Sequence, residues 1–246
     1  MIGQLEETTH LCHGTSSDLI ESALENGIQP RGLGDSNWKE FPSRPDMVYL
    51  STAYPLYYAI AAAEKKEKPQ NLDVVFFEVD LRSLKTKNMY PDEDFVAQAV
   101  AQLEKRPIEE IHNNIRENLD AYRKSWKGSL KHMGVCAHRG PIPPEAILRY
   151  ARIDLRKNPY VFWAIDPVIS LINYAICGKR YEKVTSWALG YEKEIPEVEE
   201  HGASSAHAEA AGQKEMADQF SKMHEEAKLV SKQRDGIEVV ILREGK

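Results

Sequence analysis

Leu11-Cys12-His13-Gly14-Thr15-Ser16-Ser17, followed at once by an amphipathic run ending at Asn26-Gly27, is the stretch on which the fold turns. Thr8 to Cys12 mixes β-branched and apolar residues ahead of a glycine break, which predicts a short strand. Ser16, Ser17 and Asp18 supply N-cap oxygens, Leu19, Ile20, Ala23 and Leu24 fall at helical spacing, and Gly27 stands at the C′ position. A strand that ends in His-Gly-Thr just before a helix start sets an imidazole beside free backbone N–H groups. That is a place to hold an amide or a phosphate.

Downstream, Pro30 to Pro45 reads as a loop rich in Pro, Gly, Asp, Ser and Asn, with Arg31, Trp38 and Arg44 among them. Met47 to Thr52 has strand character, and Ala53 to Lys66 is an alanine-rich helix carrying Tyr54, Tyr57 and Tyr58. Val74 to Leu81 is the clearest strand, and its continuous apolar start predicts burial on both faces. Lys85 to Pro91 reads as a turn region. Asp92-Glu93-Asp94 then opens a helix running through Leu103, its acidic start suited to the macrodipole. A second helix spans roughly Pro107 to Trp126, with proline where its missing N–H costs nothing. Gly134 to His138 and Ala146 to Ile153 read as strands joined by a rigid turn, Arg139 to Pro144. After Asn158-Pro159 the composition shifts. Tyr160 to Leu189 reads as one or two buried helices, 192–212 as a mobile linker, 213–232 as a polar helix and Ile237 to Leu242 as a last strand. The expected organisation is an α+β domain over 1–157 and a mostly helical extension over 158–246.

Composition narrows the class. Hydrophobic residues make up 42% and charged residues 28%, ordinary for a water-soluble globular chain. No apolar run approaches the roughly 18 residues of a membrane span, so no membrane partner is expected. The N-terminus is polar and acidic rather than a signal peptide. Three scattered cysteines argue for a reducing compartment, and a cytoplasmic protein is the simplest reading. A net charge of −6 gives no global basic footprint, which counts against a protein that coats nucleic acid but not against an enzyme with a local basic cleft. Strand alternation puts His10 and Cys12 on one face and His13 on the other, and no Cys-x-x-Cys spacing is present. No metal site is expected.

Four segments in order resemble the ADP-ribosyltransferase fold. They are His13-Gly14-Thr15 with its following helix; Val48-Tyr49-Leu50-Ser51-Thr52 with its tyrosine-bearing helix; Val75-Phe76-Phe77-Glu78-Val79-Asp80-Leu81, which looks like a strand of the poly-ADP-ribose polymerase class; and Gly134-Val135-Cys136-Ala137-His138 followed by Ile142-Pro143-Pro144-Glu145, similar to a segment of the tRNA 2′-phosphotransferases. Tyr54-Pro55-Leu56-Tyr57-Tyr58 also resembles a helix start in the DarT-type DNA ADP-ribosyltransferase toxins. The resemblance covers residues 8 to 155. It implies a split β-sheet core with flanking helices, binding NAD as a substrate.

Carried over by position, the resemblance implies that His13 bonds the adenosine-side ribose, the Gly14 backbone holds the nicotinamide carboxamide and Thr15 supports that turn. Tyr49 takes the place of the family's second signature residue, with Ser51 beside it on the same strand, and Tyr57 or Tyr58 that of a tyrosine stacking on nicotinamide. Breaking the nicotinamide–ribose bond makes an oxocarbenium-like centre, so both flanks of the cofactor must be gripped and water kept out. The polymerase and toxin branches carry a catalytic glutamate where this chain has Gly134, as in the phosphotransferases. Glu93 or Asp94 is then the candidate carboxylate, and Arg139 a candidate phosphate ligand.

Plainer roles stand beside these: a helix cap for Asp92-Glu93-Asp94, a core face for the tyrosines, and a solvated turn for Arg139-Gly140. The leading expectation is an NAD-dependent ADP-ribosyltransferase, a glycosyltransferase acting on a nucleic-acid (RNA or DNA) or protein acceptor, and by analogy a toxin or phage-conflict effector. The alternatives are a catalytically silent module binding NAD or ADP-ribose and an RNA 2′-phosphotransferase-like enzyme. The C-terminal region is a candidate surface for an antitoxin or other partner protein.

Overall fold

The computed structural model of the protein describes residues 10–34, 36, 42–64, 73–158, 183–191 and 236–243. Its centre is an antiparallel sheet of β1 (His10–Ser16), β2 (Met47–Ser51), β3 (Asp73–Asp80), β4 (Met89–Pro91), β5 (Val135–Arg139), β6 (Ile147–Asp154) and β7 (Ile237–Ile241). The spatial order is β4-β5-β2-β1-β3-β6-β7. Around it lie α1 (Ile20–Asn26), α2 (Pro55–Glu64), α3 (Glu93–Glu104), α4 (Ile108–Glu117), α5 (Trp126–Met133) and α6 (Lys183–Ala188). The class is α+β, as expected.

β1 does not stop at its glycine. It continues through Gly14 and Thr15 to Ser16 and pairs along its length with β3, from His10 opposite Asp80 to Ser16 opposite Val74. Gly14 belongs inside the strand because the first turn of α2 lies directly on it. A Cβ there would stand 1.8 Å from the Pro55 carbonyl oxygen and 2.9 Å from the Ala59 nitrogen. Close backbone approach overrides the local strand-breaking preference of glycine. A 3-10 turn, Ser17–Leu19, then leads into α1, which Gly27 closes at φ 80°.

Four other expected boundaries shift. The helix expected over Pro107–Trp126 is α4, a 3-10 segment at Leu119–Ser125, and then α5, which carries the chain on to Met133. Met89–Pro91, read as turn, is the edge strand β4 against β5, a position that tolerates proline. β5 starts at Val135 because Gly134 is the left-handed cap of α5, with φ 66°. β6 starts at Ile147, after a 3-10 turn at Pro144–Ala146.

Burial on both faces of β3 organises the core. Val74 and Phe76 point to one face and Val75, Phe77 and Val79 to the other, all fully buried. Leu56, Ala59 and Ile60 of α2, with Trp187 and Leu189, cover the first face. Ala23 of α1 and Trp126 and Leu130 of α5 cover the second, with Leu11, Val48, Leu50 and Cys136. Each such large side chain contributes about 1.5–3 kcal/mol by leaving water. The described part of 158–246 joins the same assembly, since β7 pairs with β6 from Ile237 opposite Ile153 to Ile241 opposite Arg149. Tyr191 donates to both oxygens of the buried Glu78, at 2.6 and 2.8 Å, and Arg149 Nε pairs with that carboxylate at 2.8 Å. The helices expected over 160–182 and 213–232 and the linker over 192–212 lie outside the described residues. Among the described residues no helix is long and apolar enough to cross a membrane.

Gly14→Ala is expected to lower stability by at least about 3 kcal/mol, because strand and helix must separate to admit the methyl group. Urea unfolding followed by circular dichroism checks this; a midpoint equal to the parent's would contradict the contact.

Candidate functional site

Tyr49 is the residue at which the candidate site comes together. β1 and β2 share one registered pair, Cys12 with Ser51. Beyond that pair, the imidazole of His13 donates from Nδ1 to the Tyr49 carbonyl oxygen at 2.9 Å. A carbonyl only accepts, so the proton sits on Nδ1 and Nε2 of the neutral ring is an acceptor. Burial lowers the His13 pKa below its ordinary 6.5, with the Tyr49 bond opposing, which keeps the ring neutral at pH 7. His13 stands opposite Phe77, on the face that α1 and α5 cover. The Tyr49 ring leaves the other face and packs with Met47, Tyr90 and residues of α3 and α4.

On that face the Tyr49 hydroxyl donates to Glu93 Oε1 and accepts the Arg44 N–H at 3.0 Å. Glu93 is the first residue of α3 and only 3% exposed. Its second oxygen, Oε2, is buried with no hydrogen-bond partner among the described residues. Burial raises the Tyr49 hydroxyl well above its ordinary 10, and the Glu93 and Asp92 charges add to the shift. Burial also raises the Glu93 carboxyl above 4.5, with the Tyr49 bond opposing and Asp94 adding. A buried carboxylate oxygen without a donor is costly, and such a cost concentrates where a ligand supplies the missing bond.

The neighbouring acids have other work. Asp92 caps α3 by accepting the Asp94 N–H at 2.9 Å, and its own N–H donates to Ser129 Oγ of α5 at 3.1 Å. The half-exposed Asp94 carboxylate meets His112 Nε2 of α4 at 2.5 Å. Facing them from α2 and the residue before it is a tyrosine ladder, with Tyr54 and Tyr58 edge-on at 6.1 Å and Tyr57 and Tyr58 tilted at 5.8 Å. Burial, then Asp92, pushes the Tyr54 hydroxyl up to about 12 and Tyr58 well above 10. The fold thus brings Tyr49, Glu93, Asp94, Tyr57 and Tyr58 into one neighbourhood, with His13 joined through the Tyr49 backbone.

Other candidates are engaged elsewhere. Ser51 Oγ accepts the Ala53 and Tyr54 N–H groups at 3.0 and 2.7 Å and donates to the Gly134 carbonyl at 2.8 Å, which spends the hydroxyl on the turn into α2. Thr15 is buried opposite Val75 within the β1–β3 pairing. Arg139 stacks 4.2 Å from the Tyr90 ring centroid, donates to Asp120 at 2.9 Å and pairs with Asp46 at 3.2 Å, closing the β4–β5 edge. Arg44 is held by Asp46 at 3.1 Å. A carboxylate cannot stand at 134, since even a Cβ there would lie 2.5 Å from the Ala53 Cβ.

Sequence reasoning missed Asp46 and His112. His112 falls in register with Ile108, Ile111 and Ile115 on the apolar stripe of α4, a signal for a buried, partnered imidazole. Asp46 sits in a loop with no periodicity to mark it. No protein-family model matches this chain, and no curated protein matches it at a significant level.

The raised Glu93 pKa has a definite sign. The folded protein retains a proton that the unfolded chain releases, so this group's contribution to stability is full below pH 4.5 and is lost as pH rises through the higher native value. Glu93→Gln is therefore expected to be more stable than the parent at pH 7 to 8, with the difference vanishing near pH 4. Thermal unfolding across that range tests it, and a less stable variant at neutral pH would make Glu93 a structural anion.

Proposed function

We propose that the protein is an NAD-dependent ADP-ribosyltransferase in which the start of α3, rather than β5, supplies the working carboxylate. One observation carries the reading: Tyr49 holds His13 through its carbonyl and Glu93 through its phenol, and Glu93 keeps a buried oxygen without a partner among the described residues. The four sequence segments that resemble the family also lie on contiguous strands, β5-β2-β1-β3, which supports it further.

The donor and acceptor chemistry fits NAD. His13 Nε2 and Glu93 Oε2 are both acceptors, and ribose hydroxyls are donors. NAD supplies the nicotinamide–ribose bond whose cleavage releases nicotinamide and transfers ADP-ribose. In this scheme Glu93 orients a ribose hydroxyl beside the scissile bond, and His13, on the other face of the sheet, steadies Tyr49 through its carbonyl. With its raised proton affinity Glu93 also takes the proton that the acceptor gives up. The tyrosine ladder offers aromatic faces to nicotinamide and keeps water away. The acceptor is a nucleic acid or a protein side chain, and an effector of conflict between cells or phages is the biological role the resemblance favours. A second reading has one observation behind it. With no room for a carboxylate at 134, a silent module that binds NAD without turnover accounts for the same residues.

Incubation with labelled NAD and cell lysate, followed by nuclease or protease digestion, separates these readings. The enzyme reading expects macromolecular label with free nicotinamide, and a loss of about 100-fold or more in His13→Ala at unchanged circular dichroism. NAD binding without nicotinamide release would favour the silent module, and no NAD binding would overturn both.

A further inference from the structure

A half-buried arginine without a counter-ion stands beside the start of α3. Among the described residues the arginines are held by carboxylates or carbonyls, as Arg44 is by Asp46, Arg82 by Asp80, Arg139 by Asp120, Arg149 by Glu78 and Arg31 by the Ser43 carbonyl. Arg116, in the last turn of α4, is the exception. Its guanidinium makes neither a hydrogen bond nor an ion pair with any described residue.

Two contacts fix its place. His112 lies one turn earlier on the same side of α4, and its Nε2 meets the Asp94 carboxylate at 2.5 Å, so this side of the helix is turned to the start of α3. The Arg44 N–H donates to the Tyr49 hydroxyl at 3.0 Å, while Arg44 Nη1 donates to the Arg116 carbonyl at 2.5 Å. One residue thereby ties the end of α4 to the phenol that holds Glu93. The charge of Arg116 is felt at Glu93, where burial raises the proton affinity of the carboxyl and the arginine opposes it.

The two groups have complementary needs. Glu93 Oε2 is a buried acceptor that lacks a donor among the described residues. Arg116 is a planar donor that lacks an anion. Paired with each other they would satisfy both needs. Instead Val96 and Ala97 of α3 pack on Ile111 and Ile115 of α4, and no ion pair joins Glu93 to Arg116. A ligand that satisfies both must carry a hydroxyl and an anion on one small frame. Ribose 5-phosphate does: its hydroxyls donate, and its phosphate oxygens accept from the two arms of a guanidinium. Inorganic phosphate answers Arg116 alone, and an unphosphorylated sugar answers Glu93 alone.

We propose that Glu93 and Arg116 form a clamp for a ribosyl 5′-phosphate, in which Arg116 reads the phosphate. The clamp stands on the two unpartnered groups; its consequence for donor choice rests on the transferase reading. There the clamped unit is the ribose whose bond to nicotinamide breaks, and Arg116 makes the enzyme reject nicotinamide riboside, which lacks the phosphate.

The test is an NMR titration of the isotope-labelled full chain with ribose 5-phosphate, ribose and inorganic phosphate in turn. It follows the Arg116 Nε–H and the Glu93 carboxyl. Ribose 5-phosphate is expected to shift both, with an affinity at least about 10-fold above that of either fragment. Arg116→Gln removes no side-chain contact of the folded chain and should keep the parent's circular dichroism. Read at the Glu93 carboxyl, this variant should bind ribose 5-phosphate no better than ribose. The control Arg106→Gln, on the α3–α4 turn, should bind as the parent does. The proposal is overturned if the parent binds no ribose 5-phosphate or binds it no better than ribose or inorganic phosphate. A preference for the phosphorylated sugar that survives in Arg116→Gln overturns it equally. Nicotinamide release from NAD and from nicotinamide riboside is measured in parallel, and Arg116→Gln should lower kcat/KM for NAD by at least about 10-fold. A parent that clamps ribose 5-phosphate yet releases no nicotinamide contradicts the transferase reading and supports the clamp.

Discussion

A peptide carbonyl left without a strand partner is the constraint on which the arrangement depends. β1 and β2 pair only at Cys12 and Ser51 and then part, so the Tyr49 carbonyl needs a donor, and buried carbonyls do not go unpaired. His13 supplies that donor, which fixes the imidazole tautomer and leaves Nε2 as an acceptor. On the other face the same residue buries a phenol, which must donate, and Glu93 turns inward from the start of α3 to receive it. Two obligations of one residue bring a histidine and a carboxylate from distant parts of the chain to either side of a single peptide unit.

Gly134 plays a complementary part. Its carbonyl accepts from Thr52 N at 2.8 Å and from Ser51 Oγ, which knots the end of β2, the entry to α2 and the end of α5 at one point. That knot sets the tyrosine ladder of α2 against the capped start of α3. It also leaves no volume for a side chain at 134. No acid fits at that position, and the buried acid that the packing brings to Tyr49 is Glu93, from the start of α3. Ser129 completes the link by tying α5 to Asp92.

Much of this was legible in the sequence where periodicity or residue chemistry was local. The two-faced burial of Val74 to Val79, the acidic start of α3, Gly27 at the end of α1 and the strand at Val48 to Ser51 all follow from patterns within a few residues. What was not legible depends on tertiary contact. Gly14 reads as a break, yet serves as the seat for the Pro55 turn of α2. Ser51 reads as a ligand-binding hydroxyl, and its oxygen is fully used in the β2–α2 turn. Glu93 and Asp94 are indistinguishable in sequence; helical rotation turns one toward Tyr49 and the other toward His112. Arg139 reads as a phosphate ligand, but Asp46 and Asp120 hold it.

Tyr49→Phe separates the two roles of this residue, because it leaves the carbonyl that holds His13 and deletes the hydroxyl that holds Glu93. Nicotinamide release and NAD affinity are measured together on the folded parent and variant. The account predicts that the parent releases nicotinamide and that the variant does so about 10²-fold more slowly, with NAD affinity changed only a few-fold. A variant that turns over NAD as fast as the parent would contradict the Tyr49–Glu93 link, and a parent that binds no NAD would contradict the account as a whole.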